Sequence, residues 1–322
     1  MLPAKLPANQ CRIPALWNGI YGLRPSVARM PHTGLQGPHE GMDTLMGVVG
    51  PMARSLLDLD LFCSAVNSRE PWHYEAQQIA KPWAKLNLDP ARKLTIGIMA
   101  DDGIVAPHPP IAAAMRSAKA KLKASGHEIV EWKPLRAAES DQLLFTLCLQ
   151  DRGDEYRDHL AMSGEPAIPG IEWLLREKAP AEAIAHPYDL WKLVRVREIL
   201  RQDGVDQWSA FPKLDAILCP GAPTLAPPHE ASRHWGYTSM WNILDWPAVT
   251  FPVETPKRED VTSVEWPPHA ARNETERFVW DTWSAEAFED APVGLQLVGR
   301  RLEEEKLLED LWLVEEAFRK HV

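Results

Sequence analysis

Histidines and carboxylates offer the first chemical readings of this sequence. His229 and His234 sit at the two ends of the stretch His229-Glu230-Ala231-Ser232-Arg233-His234. On a helix they would be about 500° of rotation apart, off any shared face, and Pro227 and Pro228 make the stretch a loop. A metal site joining this pair to His108 or His32 is therefore a minor alternative to ordinary surface or hydrogen-bonded histidines. Asp101-Asp102-Gly103 follows an apolar run and so falls at the carboxyl end of a strand, where open α/β sheets bind ligands. The expected reading is a turn held by Asp side chains with Gly103 at positive φ. Trp235 to Asn242 combine aromatic walls with a few polar groups, which suits either a small-molecule pocket or plain core. No GxSxG elbow, GxGxxG, Walker loop or HExxH is present.

The elements that must position these groups read as strands crossed by helices. Leu94 to Met99 forms a strand, a helix follows to about Ser125, and Glu128 to Trp132 forms a second strand. Ile111, Met115, Ala118 and Leu122 share one helical face, and Gly126 stops the helix. Such a crossover belongs to a mainly parallel or mixed sheet with helices on both faces. Apolar runs from Ala216 to Cys219, Ala248 to Val253 and Gly294 to Val298 read as further buried strands. Helices are expected over Ser55 to Asn67, Asp141 to Ala161, Tyr188 to Arg201 and Glu303 to Lys320. The long polar connection from Glu254 to Pro292 suggests a functional loop or an insertion.

Composition narrows the function classes. With 45% hydrophobic and 25% charged residues, the 322-residue chain is globular rather than disordered. Thirty-five Lys and Arg against 45 Asp and Glu give −10, the wrong sign for a nucleic-acid partner. The 29 prolines favour many short elements. No apolar run approaches the ~18 residues of a membrane span, and MLPAKLPANQ at the start is no signal peptide. A cytosolic protein is expected, with Cys11, Cys63, Cys148 and Cys219 as buried thiols. In that setting the glycosylation pattern at Asn273-Glu274-Thr275 has no meaning.

Cys11 to Pro25, CRIPALWNGIYGLRP, with Gly50-Pro51-Met52-Ala53-Arg54-Ser55 after it, resembles the second half of the amidase signature and the segment next to it in the family. Leu94 to Trp132, Asp215 to Pro228, Gly236 to Val253 and Pro292 to Glu305 resemble the fungal acetamidase-like branch of that family in the same order. The resemblance implies an amidase signature fold, a mixed, mainly parallel twisted sheet covered by helices on both faces and incomplete here at its amino end. It implies hydrolysis of a small carboxylic amide, without metal or organic cofactor, by a Ser, cis-Ser, Lys triad that forms an acyl-enzyme.

In the family the nucleophile stands two residues before the Arg that Arg12 matches, within a Gly-Gly-Ser run. Here that run reads Ala8-Asn9-Gln10. Gln10 has no nucleophilic oxygen, and Ala8 and Asn9 lack the backbone freedom of the glycines. The cis-Ser and Lys belong further upstream, where ten residues remain, and Cys11 with Lys5 makes no positioned substitute. The expectation is a ten-residue non-family segment, 1–10, joined to a partial amidase domain, 11–322, that is inactive as written. Without the front half it should expose apolar sheet surface and be poorly soluble. A non-catalytic binding or partner protein derived from an amidase is the second reading. By resemblance, Pro220, Tyr237, Trp241 and Asn242 would face the substrate and Arg12 would brace the nucleophile turn, or all five are packing residues. Oligomeric state is not readable.

Overall fold

The computed structural model describes residues 11–35, 37–39, 41–253, 269–286, 288 and 291–320. Among them one seven-stranded sheet organises the chain. Its strands are β1 (Tyr21–Arg24), β2 (Met52–Ala53), β3 (Thr95–Ile98), β4 (Glu128–Glu131), β5 (Leu214–Cys219), β6 (Ala248–Pro252) and β7 (Gly294–Val298), in the order β2-β1-β6-β7-β5-β3-β4. The expected crossover is there: α3 (Pro109–Ala124) joins β3 to its parallel neighbour β4. β3 also pairs parallel with β5. The other pairings, β1 with β2 and β6, and β7 with β5 and β6, are antiparallel. The sheet is thus mixed, with a smaller parallel part than the crossover suggested. A buried apolar run of five or six residues is the same in either direction, so composition alone carries no information about orientation.

Alternation along the strands feeds two layers, as a sheet covered on both faces requires. Ala216 and Leu218 join Ile96, Val249, Phe251 and Leu295 on the face packed by α2 (Leu56–Asn67), α3 and α10 (Glu304–Arg319). Ile217 and Cys219 turn the other way, toward Trp208 of α7 (Pro187–Ser209) and Tyr237 and Trp241 of α8 (Gly236–Leu244). A third apolar cluster gathers α4 (Ala137–Cys148), α5 (Asp154–Ser163) and α6 (Pro169–Glu177) against α7. The single helix expected over Asp141 to Ala161 is two, broken where Arg152 and Gly153 take φ of 64° and 78°. A Cβ on Gly153 would stand 2.1 Å from the Leu175 side chain, so the turn there needs glycine twice over.

Among the elements that came without a sequence reading of their own are α1 (Arg12–Trp17) and the short strand β1 that it leads into. Both fall inside the stretch that carries the family resemblance. Most strand residues are buried, and the large exposed apolar side chains are scattered over β2, α2 and α7 and over Leu35, Tyr74, Met162, Ile168 and Phe278 rather than gathered on the sheet. Of the connection from 254 to 292, residues 254–268, 287, 289 and 290 lie outside the described part; within it is α9 (Glu274–Asp281). Asn273 caps α9 by accepting from Glu276 N and donates to the Ile104 carbonyl, so the glycosylation pattern serves as a helix cap.

Candidate active site

Cys11 and Arg12 open α1 directly against the sheet. β1 passes so close beneath that a Cβ on Gly22 would be 2.1 Å from the Cys11 carbonyl oxygen, and one on Gly50 2.7 Å from Cys11 Sγ. Both glycines come from the motif residues, and here their role is close approach rather than unusual φ. Thr250 on β6 adds a hydroxyl bond to the Gly22 carbonyl at 3.2 Å. The same hydroxyl lies 3.4 Å from the Arg12 carbonyl, so β1, the Gly50 segment and β6 all close on the head of α1.

Arg12 is fully buried and reaches two further elements. Its Nη1 donates to Gln296 Oε1 on β7 at 2.9 Å. Its Nη2 donates to the Thr238 carbonyl at 3.0 Å and to Asn242 Oδ1 at 2.7 Å, two acceptors one turn apart on α8. Burial pulls the guanidinium down to about 9, which leaves it charged at neutral pH. Gln296 extends the network, since its Nε2 donates to the Tyr237 carbonyl at 3.0 Å and to Cys219 Sγ at 3.3 Å. Burial pushes the Cys219 thiol up to about 12, so it is an inert packing group at neutral pH. One cation thus ties the start of α1 to the centre of the sheet and to α8.

The candidate residues separate by role. Asn242 meets Arg12 directly, and Tyr237 meets it through its backbone and Gln296. The Tyr237 hydroxyl does something else: it donates to the Val105 carbonyl at 2.8 Å and accepts from Asp102 N, holding the loop after β3. Burial raises that phenol far above its ordinary range. Trp241 is fully buried and stacks on Trp246 at 5.9 Å, within a cluster that includes Trp132 and Trp208. Pro220 is buried just past β5. Gln10 lies outside the described residues. Gln296, Thr238, Gly22 and Gly50 are participants that the sequence reading did not single out; Gln296 was visible as the one polar residue in the run Gly294 to Val298.

Asp101 to Gly103 is the expected turn: Asp101 accepts from Gly103 N at 2.6 Å, and Gly103 has φ of 82°. Asp102 accepts from Ile104 N and Val105 N and faces His234 Nε2 at 2.5 Å. Of the other histidines weighed for a metal, His32 faces Glu75, His108 bonds the Val279 carbonyl and His229 is exposed. Among the described residues no three His, Cys, Asp or Glu gather as a metal site.

A profile of the family described as Amidase matches residues 11–308. The chain belongs to the amidase family. It is 34% identical to an acetamidase of Emericella nidulans and 32% identical to one of Aspergillus oryzae. Each match takes in 92% of this chain and 55% or 56% of the relative. Fatty acid amide hydrolase superposes with a TM-score of 0.87 at 29% identity, over 96% of this chain and 54% of that one. The chain therefore spans about half the length of the relatives it matches. Arg12, Thr238, Asn242 and Gln296 all lie within the residues that the family profile matches. No described helix is long and apolar enough to cross a membrane.

Proposed function

We propose that this chain is the carboxyl-terminal portion of an amidase of the acetamidase-like branch, and that the reaction of the whole is hydrolysis of a small carboxylic amide. On this reading residues 1–10 are a non-family segment and 11–322 a partial amidase domain. The observation that carries the proposal is the Arg12 network. A buried cation at the head of α1, held by Gln296 and Asn242, would fix the turn immediately before it, where a nucleophile has to meet its amide carbonyl. The acyl-enzyme chemistry then needs a Ser nucleophile, a cis-Ser relay and a Lys base, with backbone N–H groups stabilising the oxyanion. Gln10 stands at the nucleophile position, so the chain by itself is proposed to be inactive. Pro220, Tyr237, Trp241 and Asn242 are proposed to border the substrate, Trp241 and Asn242 through the shape they give α8. Four buried, free cysteines agree with a reducing, cytoplasmic setting.

The test is a chimera. Residues 11–322 are joined to the front portion of the Emericella nidulans acetamidase, through its nucleophile turn, and ammonia release from acetamide is followed. Hydrolysis is expected from the chimera and none from the chain alone. A soluble, cooperatively melting chimera without hydrolysis would overturn the amidase reading, and hydrolysis by the chain alone would overturn its inactivity. A non-catalytic partner role is the second reading, favoured by Gln10 at the position proposed for the nucleophile.

A further inference from the structure

The loop 229–235 runs along α6 on its way into α8. Glu230 Oε2 stands 2.9 Å from where a Cβ on Gly170 would be, in the first turn of α6. Three residues further on in both segments, Arg233 lies over the ring of Trp173, 4.9 Å from its centroid. Arg233 also lies over Phe278 of α9, at 5.3 Å. A second cation reaches the same place: Lys178, just past α6, stands 5.6 Å from the Trp173 ring and 4.8 Å from that of Phe145 on α4. Trp235 closes the group, its ring 5.9 Å from Trp173 and 5.5 Å from Phe145. Three helices and a loop thus gather two cations and four aromatic rings.

The charges there do not balance. Lys178 faces Asp141 Oδ2 at 3.6 Å. Arg233 has no carboxylate within ion-pair distance among the described residues, and its Nη1 donates to the carbonyl of its own neighbour Ser232 at 3.0 Å. Other arginines withdrawn from solvent are matched: Arg24 meets Asp245, Arg29 meets Glu304, and half-buried Arg92 meets Asp310. Arg233 is half-buried and Phe278 is 41% exposed, so the guanidinium is held and still reachable. Aromatic faces steady a guanidinium without using its N–H donors, which leaves its planar fork for a carboxylate. An empty group of rings would suit a cationic ligand, but here side-chain cations already take the faces and the surface they present is positive.

We infer that Arg233, steadied by Trp173 and Phe278, binds the carboxylate of a small organic acid whose apolar part rests on the rings around it. The site goes beyond the proposed hydrolysis. A simple amide is neutral and gains little from a cation, whereas the acid that hydrolysis releases, or a second carboxyl group carried by the amide, pairs with the guanidinium through two parallel hydrogen bonds. Both sources share this chemistry. Inorganic phosphate brings the charge without the apolar part that the aromatic walls select.

The probe is radiolabelled phenylacetate in equilibrium dialysis against the full chain at neutral pH and low salt. Phenylacetamide, its neutral isostere, and inorganic phosphate serve as competitors. Saturable binding is expected, displaced by unlabelled acid and at least tenfold less readily by the amide or by phosphate. Arg233→Gln should weaken binding at least tenfold. Arg116→Gln, which removes an exposed cation from α3 on the other face of the sheet, should leave it unchanged. Each variant is used after its thermal melt has been compared with wild type. Should Arg233→Gln not fold, Arg233→Lys replaces it; the charge stays, the fork is lost, and at least a threefold loss is expected. No saturable binding, equal displacement by the amide or phosphate, or binding indifferent to Arg233 overturns the site. An equal loss in Arg116→Gln would mean diffuse surface charge and overturns it as well. In the chimera, inhibition by the acid that Arg233→Gln relieves would name the product as the source, and a raised kcat/KM for an amide with a distal carboxylate, lost in Arg233→Gln, would name the substrate. Binding is read without turnover, so a failure of hydrolysis bears on the amidase reading alone.

Discussion

Replacing Arg12 by Met keeps most of the side-chain volume and removes the cation at the centre of the network. Three buried acceptors, Gln296 Oε1, the Thr238 carbonyl and Asn242 Oδ1, then lose a donor at 2.7–3.0 Å. A buried acceptor left without its donor costs roughly 1–3 kcal/mol, and the guanidinium no longer has to be desolvated, which returns part of that. The expected net loss is about 3–5 kcal/mol. The sharper quantity is the coupling between Arg12 and Asn242. Asn242→Leu deletes one acceptor, and because the bond it breaks is short and charge-assisted, the double variant should be less destabilised than the sum of the singles by about 1.5–3 kcal/mol. Urea unfolding followed by tryptophan fluorescence suits the measurement, since the chain has 14 tryptophans. Additivity within about 0.5 kcal/mol, as for distant sites, would mean that Arg12 and Asn242 do not form one unit and would remove the basis for a braced nucleophile turn.

Acid should destabilise the fold through His108, which bonds the Val279 carbonyl on α9. Burial holds this imidazole down to about 4 from an ordinary 6.5, so between those values the unfolded chain binds a proton that the folded chain does not, and stability falls as pH falls. The folded state should lose about 2 kcal/mol between pH 8 and pH 5 from this group, and His108→Gln should flatten that slope; identical slopes would refute the assignment. Trp241→Ala removes a fully buried ring from the stack on Trp246 and should cost about 3–5 kcal/mol. In the chimera the same change should alter the preference among amides of different acyl size, and unchanged relative kcat/KM across such a series would take Trp241 out of the substrate border. Gly236→Ala places a methyl 2.5 Å from His234 Nε2 and 2.8 Å from Asp102 Oδ2. A loss of about 1–3 kcal/mol in urea unfolding is expected, and an unchanged midpoint would show that the His234–Asp102 contact yields freely.

What could be read from the residues was local. The crossover from β3 through α3 to β4 was legible because a four-three-four apolar spacing, Gly126 and two short strands all lie within forty residues of sequence and agree with one another. The turn at Asp101 to Gly103 was legible for the same reason: an Asp side chain and a positive-φ glycine explain each other. The break between α4 and α5 was missed, although Asp151-Arg152-Gly153 held its signal, because the apolar run Leu143 to Leu149 before it carried the helical reading past one glycine. Strand direction in β5, β6 and β7 was not legible, as period and polarity do not change when a buried strand is reversed.

The candidate site belongs to a different order of information. Arg12 meets Thr238, Asn242 and Gln296 across more than 220 positions of sequence. No spacing rule connects them, and each alone looked like something else: an Arg in a motif, a polar residue on an aromatic helix, a polar residue in an apolar strand. Gln296 was the most informative of these in retrospect. An amide in a strand of Gly294-Leu295-Gln296-Leu297-Val298 has to satisfy a donor and an acceptor inside the core, and a buried acceptor of that kind calls for a buried donor. Arg12, at the head of a helix whose other residues are apolar, was the donor left over in the same region. Taken together, the misplaced glutamine and the misplaced arginine imply each other; along the chain, they lie 284 residues apart.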